Sequence, residues 1–285
     1  MNYYKRENYL RKIRGFYEDT GLIKVITGVR RCGKSCLMGT IAEEMRERGT
    51  DDAHIVYIDL DSRPYKNITT PDQLERIIDE KTPSPGTTYL FIDEIQNSPK
   101  TIGLLRYFYE RRPDLHVIAA GSLLENLIDV KVSFPVGRVQ YLALRPCSFY
   151  EFLGATGTHN LLALLREKPE MTVAYHDEMM HWFNLFAIVG GMPEAVKQYA
   201  ETRDIVALED VYETLVQAYK DDAEKYVAGN KLTDTVRFIL SYGWASAGET
   251  ITLGNFANSG YKSREVGEAF RLLEKAMLLE LVYPV

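Results

Sequence analysis

Residues 22–35 read LIKVITGVRRCGKS, an apolar run that ends in a glycine-rich loop. The last eight of them match the pattern G-x-x-x-x-G-K-[ST], which is typical of phosphate-binding loops. The apolar run predicts a buried strand, and residues 34–48 have helical periodicity. A glycine-rich loop between a strand and a helix presents backbone N–H groups and the positive end of the helix to an anion. This stretch therefore predicts a P-loop.

The nucleotide contacts are predicted to come from the whole loop and the residue after it: Gly28, Val29, Arg30, Arg31, Cys32, Gly33, Lys34, Ser35 and Cys36. Lys34 is expected to reach the β- and γ-phosphates, and the Ser35 hydroxyl is expected to bind Mg²⁺. For the thiols of Cys32 and Cys36 we expect packing or proximity to the loop, not redox chemistry.

A second motif, YLFIDE at residues 89–94, predicts a buried strand that ends in two carboxylates. Asp93 is expected to hold the Mg²⁺ shell, and Glu94 to polarise the attacking water. A catalytic carboxylate at this position indicates that water is the acceptor, so hydrolysis is favoured over kinase chemistry. An Asn-Lys-x-Asp element for guanine is absent from the sequence, so the predicted substrate is ATP with Mg²⁺.

Two further residues are candidates for the catalytic site. Ser122 ends a predicted strand that should lie between the other two motifs, where its hydroxyl would sense the γ-phosphate; a turn or cap role is the alternative. Arg138 opens the next strand and would act as an arginine finger on the phosphates of its own or a neighbouring subunit. A surface salt bridge is the competing interpretation of Arg138.

Alternating strands and helices in the first half predict an α/β fold, a P-loop NTPase αβα sandwich with a parallel sheet. A helical lid and a winged-helix-like domain are expected to follow. The predicted strands are 22–27, 54–59, 88–93, 116–120 and 139–144. The first-half helices are 34–48, 71–81 and 102–111, and later ones are 149–153, 161–166, 177–189 and 204–225. The predicted domains are 1–148, 149–228 and 229–285.

The last domain is predicted from its order of elements: a helix over 233–245, a turn over 253–258, a helix over 263–275 and an apolar strand from Met277. This order is typical of a winged helix that is either incomplete or part of a longer protein. Basic residues on the second helix are interrupted by glutamates. A DNA reader and a surface for packing or protein contact therefore remain equal alternatives.

Composition limits the function classes. The net charge of −6 over 285 residues gives no overall attraction to a polyanion, so any DNA contact needs a local basic patch. No run of about 18 apolar residues occurs, which argues against a membrane partner. Three cysteines without a second cluster of Cys or His fit a reducing compartment, and we expect a cytoplasmic protein.

With these motifs in place, the chain resembles the AAA+ superfamily. It is most similar to a bacterial and archaeal group whose members often carry a nuclease-like C-terminal domain. The residues that carry the resemblance are 26–35, 91–96, 120–122, 137–138, Pro146 with 148–153, and 190–194. The resemblance implies an αβα nucleotide domain, a helical lid and a winged helix. The nuclease-like domain has no counterpart in this sequence.

Taken together, the sequence predicts an ATP hydrolase whose cycle moves the helical and winged-helix parts on DNA or a protein partner. The alternative is a nucleotide-gated DNA-binding or signalling switch with slow turnover. Action of Arg138 between subunits would require a homo-oligomer, and the sequence leaves its action in cis or in trans open.

Overall fold

The fold is described from a computed structural model of the chain. It describes residues 4–17, 19, 21–68, 70–82, 85–97, 105, 107, 108, 110–122, 139–226 and 231–283. These residues form two compact units. The sheet unit comprises the described residues of Lys5–Val29, Lys34–Leu144 and Leu272–Val285. The helical unit comprises those of Met1–Tyr4, Arg30–Gly33 and Arg145–Arg271.

The sheet contains five strands among the described residues: β1 (Ile23–Gly28), β2 (Ile55–Asp59), β3 (Thr88–Asp93), β4 (Leu115–Ser122) and β5 (Val139–Ala143). Their order is β2-β3-β4-β1-β5, and every neighbouring pair is parallel. All residues of β1 and β4 are buried, as expected for strands covered on both faces. The predicted parallel sheet is confirmed, and each strand begins within one residue of its predicted start.

Three helices of the sheet unit have complete bounds: α1 (Glu7–Arg14), α2 (Lys34–Glu47) and α3 (Pro71–Lys81). Helix α3 begins with a capping box, in which Thr70 Oγ1 accepts a hydrogen bond from Gln73 N at 3.4 Å and Gln73 Oε1 accepts one from Thr70 N at 3.3 Å. Leu74 and Ile78 on α3 are fully buried in the core that covers the sheet. Burial of this apolar stripe fixes α3 against the strands.

The helical unit contains α4 (Phe149–Ala155), α5 (His159–Glu167), α6 (His176–Val189), α7 (Pro193–Thr202), α8 (Glu209–Tyr226), α9 (Lys231–Tyr242) and most of α10 (Ser263–Lys275). Its core joins Phe152 on α4 to Val189 on α6, and to Val196 and Tyr199 on α7. The rings of Phe152 and Tyr199 stack with centroids 5.9 Å apart. The helical region predicted after the sheet is therefore present, and it has its own core.

Two of the motifs that carried the family resemblance form one structural joint in the helical unit. Ser148 caps α4, because its Oγ accepts from Glu151 N and Glu151 Oε2 accepts from Ser148 N at 2.8 Å. Next to this cap, Cys147 N donates to Gly191 O at 2.6 Å. A Cβ on Gly191 would lie 2.3 Å from Cys147 O, so only glycine fits there. These residues shape the fold and do not carry chemistry.

Several sequence predictions need correction or lie outside the described residues. The strand predicted from Met277 does not form within residues 277–283. Met277 has a φ of 61°, and Leu281 N donates to Glu274 Oε1, so this segment turns back on α10 and does not extend. Helix α7 was not predicted. Much of the predicted helix 102–111 and the predicted domain boundary between residues 228 and 229 fall outside the described residues.

Within the part of the chain that the structure describes, no helix is both long enough and apolar enough to cross a membrane.

Candidate nucleotide-binding site

The P-loop leaves β1 and turns sharply before α2. Arg31 has a φ of 63° and Gly33 a φ of 99°, both in the left-handed region. An L side chain at the Gly33 angle would be strained, so the glycine at this position has a conformational reason. Backbone segments with such changes of hand form concavities of N–H groups that bind anions. Helix α2 starts directly after the loop, at Lys34.

The Lys34 ammonium is held inside the loop that it is predicted to serve. The residue is 4% exposed, and its Nζ donates to Gly28 O and to Val29 O, each at 3.2 Å. A buried ammonium needs such partners, because an unpaired charge inside a protein is costly. The side chain is therefore oriented before any ligand arrives.

The sheet brings three of the predicted site elements to one edge. Gly28 at the end of β1 is the register partner of Ser122 at the end of β4. Asp93 ends β3, the neighbour of β4 on the other side. Because parallel strands share their carboxyl edge, the three residues lie where ligands bind in α/β sheets. The prediction that β4 lies between the two motif-bearing strands is confirmed.

Both carboxylate oxygens of Asp93 accept a hydrogen bond, and the residue is 4% exposed. Glu94 N donates to Oδ1 at 2.9 Å, and Tyr57 Oη donates to Oδ2 at 2.9 Å. Burial raises the pKa of Tyr57, and the adjacent charge of Asp93 raises it further, so the hydroxyl keeps its proton as a donor. Sequence reasoning missed Tyr57, because nothing in the spacing along the chain links it to Asp93.

Glu94 follows with a φ of 51°, an unusual conformation for a glutamate. Its Oε2 accepts a hydrogen bond from Gln96 Nε2. The Gln96 Oε1 in turn accepts from Ser122 N at 3.3 Å. Gln96 was noted only as part of the family resemblance and was given no role from the sequence.

The Ser122 hydroxyl is buried and makes no hydrogen bond to the described residues. The residue is 3% exposed, and no hydrogen-bond partner for its Oγ lies among the described residues. A buried hydroxyl without a partner costs about 1–3 kcal/mol. Such a group at the edge where the P-loop begins is a candidate for contact with a ligand.

The remaining predicted site residues differ in their surroundings. Ser35 and Cys36 on α2 are exposed, whereas Cys32 is fully buried. Arg30 and Arg31 belong to the helical unit, where Arg30 contacts Asp222 on α8 and Arg31 lies 3.9 Å from Glu194 on α7. Arg138 lies outside the described residues, so its predicted role stays a prediction.

Comparison with known families agrees with this geometry. Residues 20–153, which contain all five strands and the candidate site, match the family described as "AAA domain". This region is similar to that family. Together with the P-loop, the match supports a P-loop nucleotide-binding fold. Residues 180–285 match a second family, described as "Domain of unknown function (DUF8612)".

The region that matches the AAA family is also part of a longer similarity. A protein of Haemophilus influenzae, described as "Uncharacterized protein", is 26% identical over 283 residues. The match covers 96% of this chain, and the chain spans 65% of the length of that relative.

Solved structures that are similar to this chain include two with low sequence identity. C. elegans PCH-2 has a TM-score of 0.43 at 13% identity, over 70% of this chain and 62% of that one. AMPPCP-bound DnaA from Aquifex aeolicus has a TM-score of 0.42 at 12% identity, over 96% of this chain and 89% of that one.

Proposed function

We propose that the P-loop region, residues 20–153, acts as an AAA-type domain that binds ATP with Mg²⁺ and hydrolyses it. The observation that carries this proposal is the strand order β3-β4-β1, which aligns the ends of three strands bearing Asp93, Ser122 and the P-loop. A P-loop alone would support phosphate binding. The carboxylate pair at the end of β3, which β4 separates from the P-loop strand β1, supports a reaction with water.

The residues of the site fit a magnesium nucleotide. The loop supplies backbone N–H donors, and Lys34 supplies a positive charge for the β- and γ-phosphates. Ser35 and Asp93 supply a hydroxyl and a carboxylate oxygen, which is the ligand chemistry that Mg²⁺ prefers. The metal, when bound, neutralises charge on the phosphate oxygens. Tyr57 holds the Asp93 carboxylate in a fixed orientation for this contact.

The proposed reaction is an in-line attack of water on the γ-phosphorus. Glu94 accepts a proton from the water as its oxygen forms the new bond to phosphorus. The bond to the β–γ bridging oxygen breaks, and ADP leaves with the electron pair. Ser122 Oγ donates a hydrogen bond to a γ-phosphate oxygen, which satisfies a hydroxyl that has no partner in the part of the chain that the structure describes.

We further propose that turnover is coupled to movement of a helical lid, 149–228, and a winged-helix-like domain, 229–285, on DNA or a protein partner. The order of α9, a short turn at Phe256–Asn258 and α10 supports the helix-turn-helix part of this proposal. Arg138 remains the candidate for an arginine finger that acts within one chain or between chains of a homo-oligomer. A cytoplasmic location agrees with three cysteines that form no disulfide.

The test is phosphate release from ATP with Mg²⁺, alone and with double-stranded DNA, for the wild-type chain, Lys34→Ala and Glu94→Gln. Turnover that both substitutions abolish would support the hydrolase, and stimulation by DNA would identify the partner class. A rise in turnover per chain with protein concentration would support action of Arg138 in trans. Tight ATP binding without turnover under all these conditions would contradict the hydrolase and favour a nucleotide-gated switch.

A further inference from the structure

The side chain of Gln96 connects two parts of the candidate site. Gln96 lies on a short 3-10 turn, Ile95–Asn97, directly after Glu94. Its Nε2 donates to Glu94 Oε2, and its Oε1 accepts from Ser122 N at 3.3 Å. The Gln96 amide therefore links the Glu94 carboxylate, which is proposed to activate water, to the end of β4.

The chemistry of the two neighbours fixes the orientation of the amide. Ser122 N can only donate, so the oxygen of Gln96 must face it. An ionised carboxylate can only accept, so the nitrogen of Gln96 must face Glu94. A side chain that accepts at one end and donates at the other is required here. Glutamate has the length of glutamine but lacks the donor.

Gly121 has no side chain and leaves room for the Gln96 amide, which bridges Glu94 and Ser122. A Cβ on Gly121 would lie 2.6 Å from Gln96 Oε1 and 3.1 Å from Ile95 Cγ2. Side-chain carbons do not approach oxygen atoms this closely, so any larger residue at 121 would push the amide away. Gly121 therefore leaves the space that the Gln96 amide occupies.

The backbone at Glu94 is also adapted to this contact. Its φ of 51° turns the chain sharply at the end of β3, and Asn97 N then donates to Glu94 O at 2.9 Å. A left-handed conformation is strained at a residue other than glycine. Strain of this kind concentrates at functional sites, where the surrounding structure holds it in place. Here the turn brings Gln96 back over Glu94.

We propose that Gln96 is a positioning residue for hydrolysis, which holds the Glu94 carboxylate in place and ties it to the end of β4. This inference rests on the proposed function. Gln96 acts through Glu94 and makes no contact with the nucleotide. Because a reacting group must be held within a fraction of an ångström of its productive geometry, loss of the bridge lowers the rate of the chemical step more than it lowers ATP binding.

Two substitutions at Gln96 separate the two ends of the bridge. Gln96→Glu keeps an acceptor for Ser122 N but places a second carboxylate against Glu94. Gln96→Ala removes both bonds. For each we expect kcat to fall by about tenfold to a hundredfold, while the Kd for a fluorescent, non-hydrolysable ATP analogue with Mg²⁺ changes by less than about threefold.

Further variants test the mechanism of the effect. Gly121→Ala is expected to reproduce the fall in kcat by displacing the Gln96 amide. In a Glu94→Gln background, Gln96→Ala is expected to have no additional effect on residual turnover, because residues that act as a unit are not additive. Asn97→Ala is the matched control on the same turn: its exposed amide contacts Asp61, and kcat should stay at the wild-type value.

The outcomes distinguish this proposal from the proposed function. Wild-type kcat in both Gln96 variants, with turnover abolished in Glu94→Gln, would overturn the role of Gln96 and leave the hydrolase intact. Equal losses in kcat and in ATP affinity, with a lower midpoint of thermal unfolding, would show a structural role and also overturn it. Absence of Mg²⁺-dependent turnover in the wild-type chain would overturn the proposed function together with this inference.

Discussion

Arg30 Nη1 lies 2.6 Å from Asp222 Oδ1, although 192 residues separate the two in sequence. Arg30 is part of the P-loop and Asp222 lies on α8, where it is 1% exposed. On the same helix, Tyr219 Oη donates to Arg30 O at 3.2 Å. Helix α8 therefore contacts both the side chain and the backbone of a P-loop residue.

This ion pair is expected to contribute measurably to stability. Arg30→Ala should lower the free energy of unfolding in urea, without nucleotide, by about 1–3 kcal/mol, because Asp222 loses a charged partner in a buried position. A double-mutant cycle with Asp222→Asn should show coupling of a similar size. Arg31→Ala is the matched control, since its contact with Glu194 is long and exposed and should contribute less than about 0.5 kcal/mol. Equal effects of the two arginine substitutions would contradict the prediction.

The hydroxyl of Tyr57 is expected to support metal binding through Asp93. Tyr57→Phe should retain the ring, which stacks on Phe91 with centroids 6.1 Å apart, and lose only the hydrogen bond. We expect the Mg²⁺ concentration for half-maximal turnover to rise by about tenfold. Tyr107→Phe removes a comparable hydroxyl–carboxylate bond, to Glu75, and serves as the control. An unchanged Mg²⁺ titration for Tyr57→Phe would refute the role of this contact.

Ser122→Ala is expected to have opposite effects on turnover and stability. Removal of a buried hydroxyl that has no hydrogen-bond partner among the described residues should leave the free energy of unfolding unchanged or raise it by about 1 kcal/mol. Turnover should fall by about tenfold or more, because a donor to the γ-phosphate is lost.

Thr82→Val provides the comparison for Ser122→Ala. Its hydroxyl likewise lacks a hydrogen-bond partner among the described residues, but Thr82 lies directly after α3, away from the candidate site. The free energy of unfolding of Thr82→Val should again stay unchanged or rise, while its turnover stays at the wild-type value. Wild-type turnover in Ser122→Ala would contradict the prediction that the Ser122 hydroxyl senses the γ-phosphate.

Lys24 is expected to make stability depend on pH at the alkaline end. Burial lowers the pKa of Lys24 from 10.5 to about 8, so between these values the unfolded chain binds more protons than the folded chain. Deprotonation of Lys24 should therefore increase the free energy of unfolding by on the order of 3 kcal/mol as the pH rises from 8 to 10.5.

The measurement for Lys24 is a difference between two proteins. Urea unfolding of the wild type and of Lys24→Met from pH 7 to pH 10 cancels the titration of other groups. Lys24→Met should be the more stable protein at pH 7, and the gap should narrow as pH rises. If the stability difference between Lys24→Met and the wild type widened with pH, the prediction for the buried Lys24 ammonium would be wrong.

The sequence was sufficient for the elements that depend on local pattern. The apolar runs before Gly28 and Asp93 predicted central strands, because strands buried on both faces have few polar residues. The strand that ends at Ser122 lies between the two motif-bearing strands, as predicted. Glycine, lysine and carboxylate spacing identified most of the candidate site.

The contacts that orient the site could not be predicted in the same way. Tyr57 reaches Asp93 from the neighbouring strand, and Arg30 contacts Asp222 although the two are 192 positions apart in sequence, so neither pair has a spacing signal. The strand expected from Met277 failed because an apolar run does not specify a partner strand. Helix α7 was not predicted because Gly190 and Gly191, followed by Pro193 at its first position, favour a break in the chain. Tertiary contacts decided each of these cases.

The most direct test of the account is a paired measurement on Glu94→Gln. ATP affinity is measured by equilibrium binding, and the fate of bound ATP is followed in a single turnover with Mg²⁺. We predict wild-type affinity within about threefold and conversion slowed by about a hundredfold or more, because only the proton acceptor is lost. Hydrolysis at the wild-type rate in Glu94→Gln would contradict the assignment of Glu94 as the group that activates water.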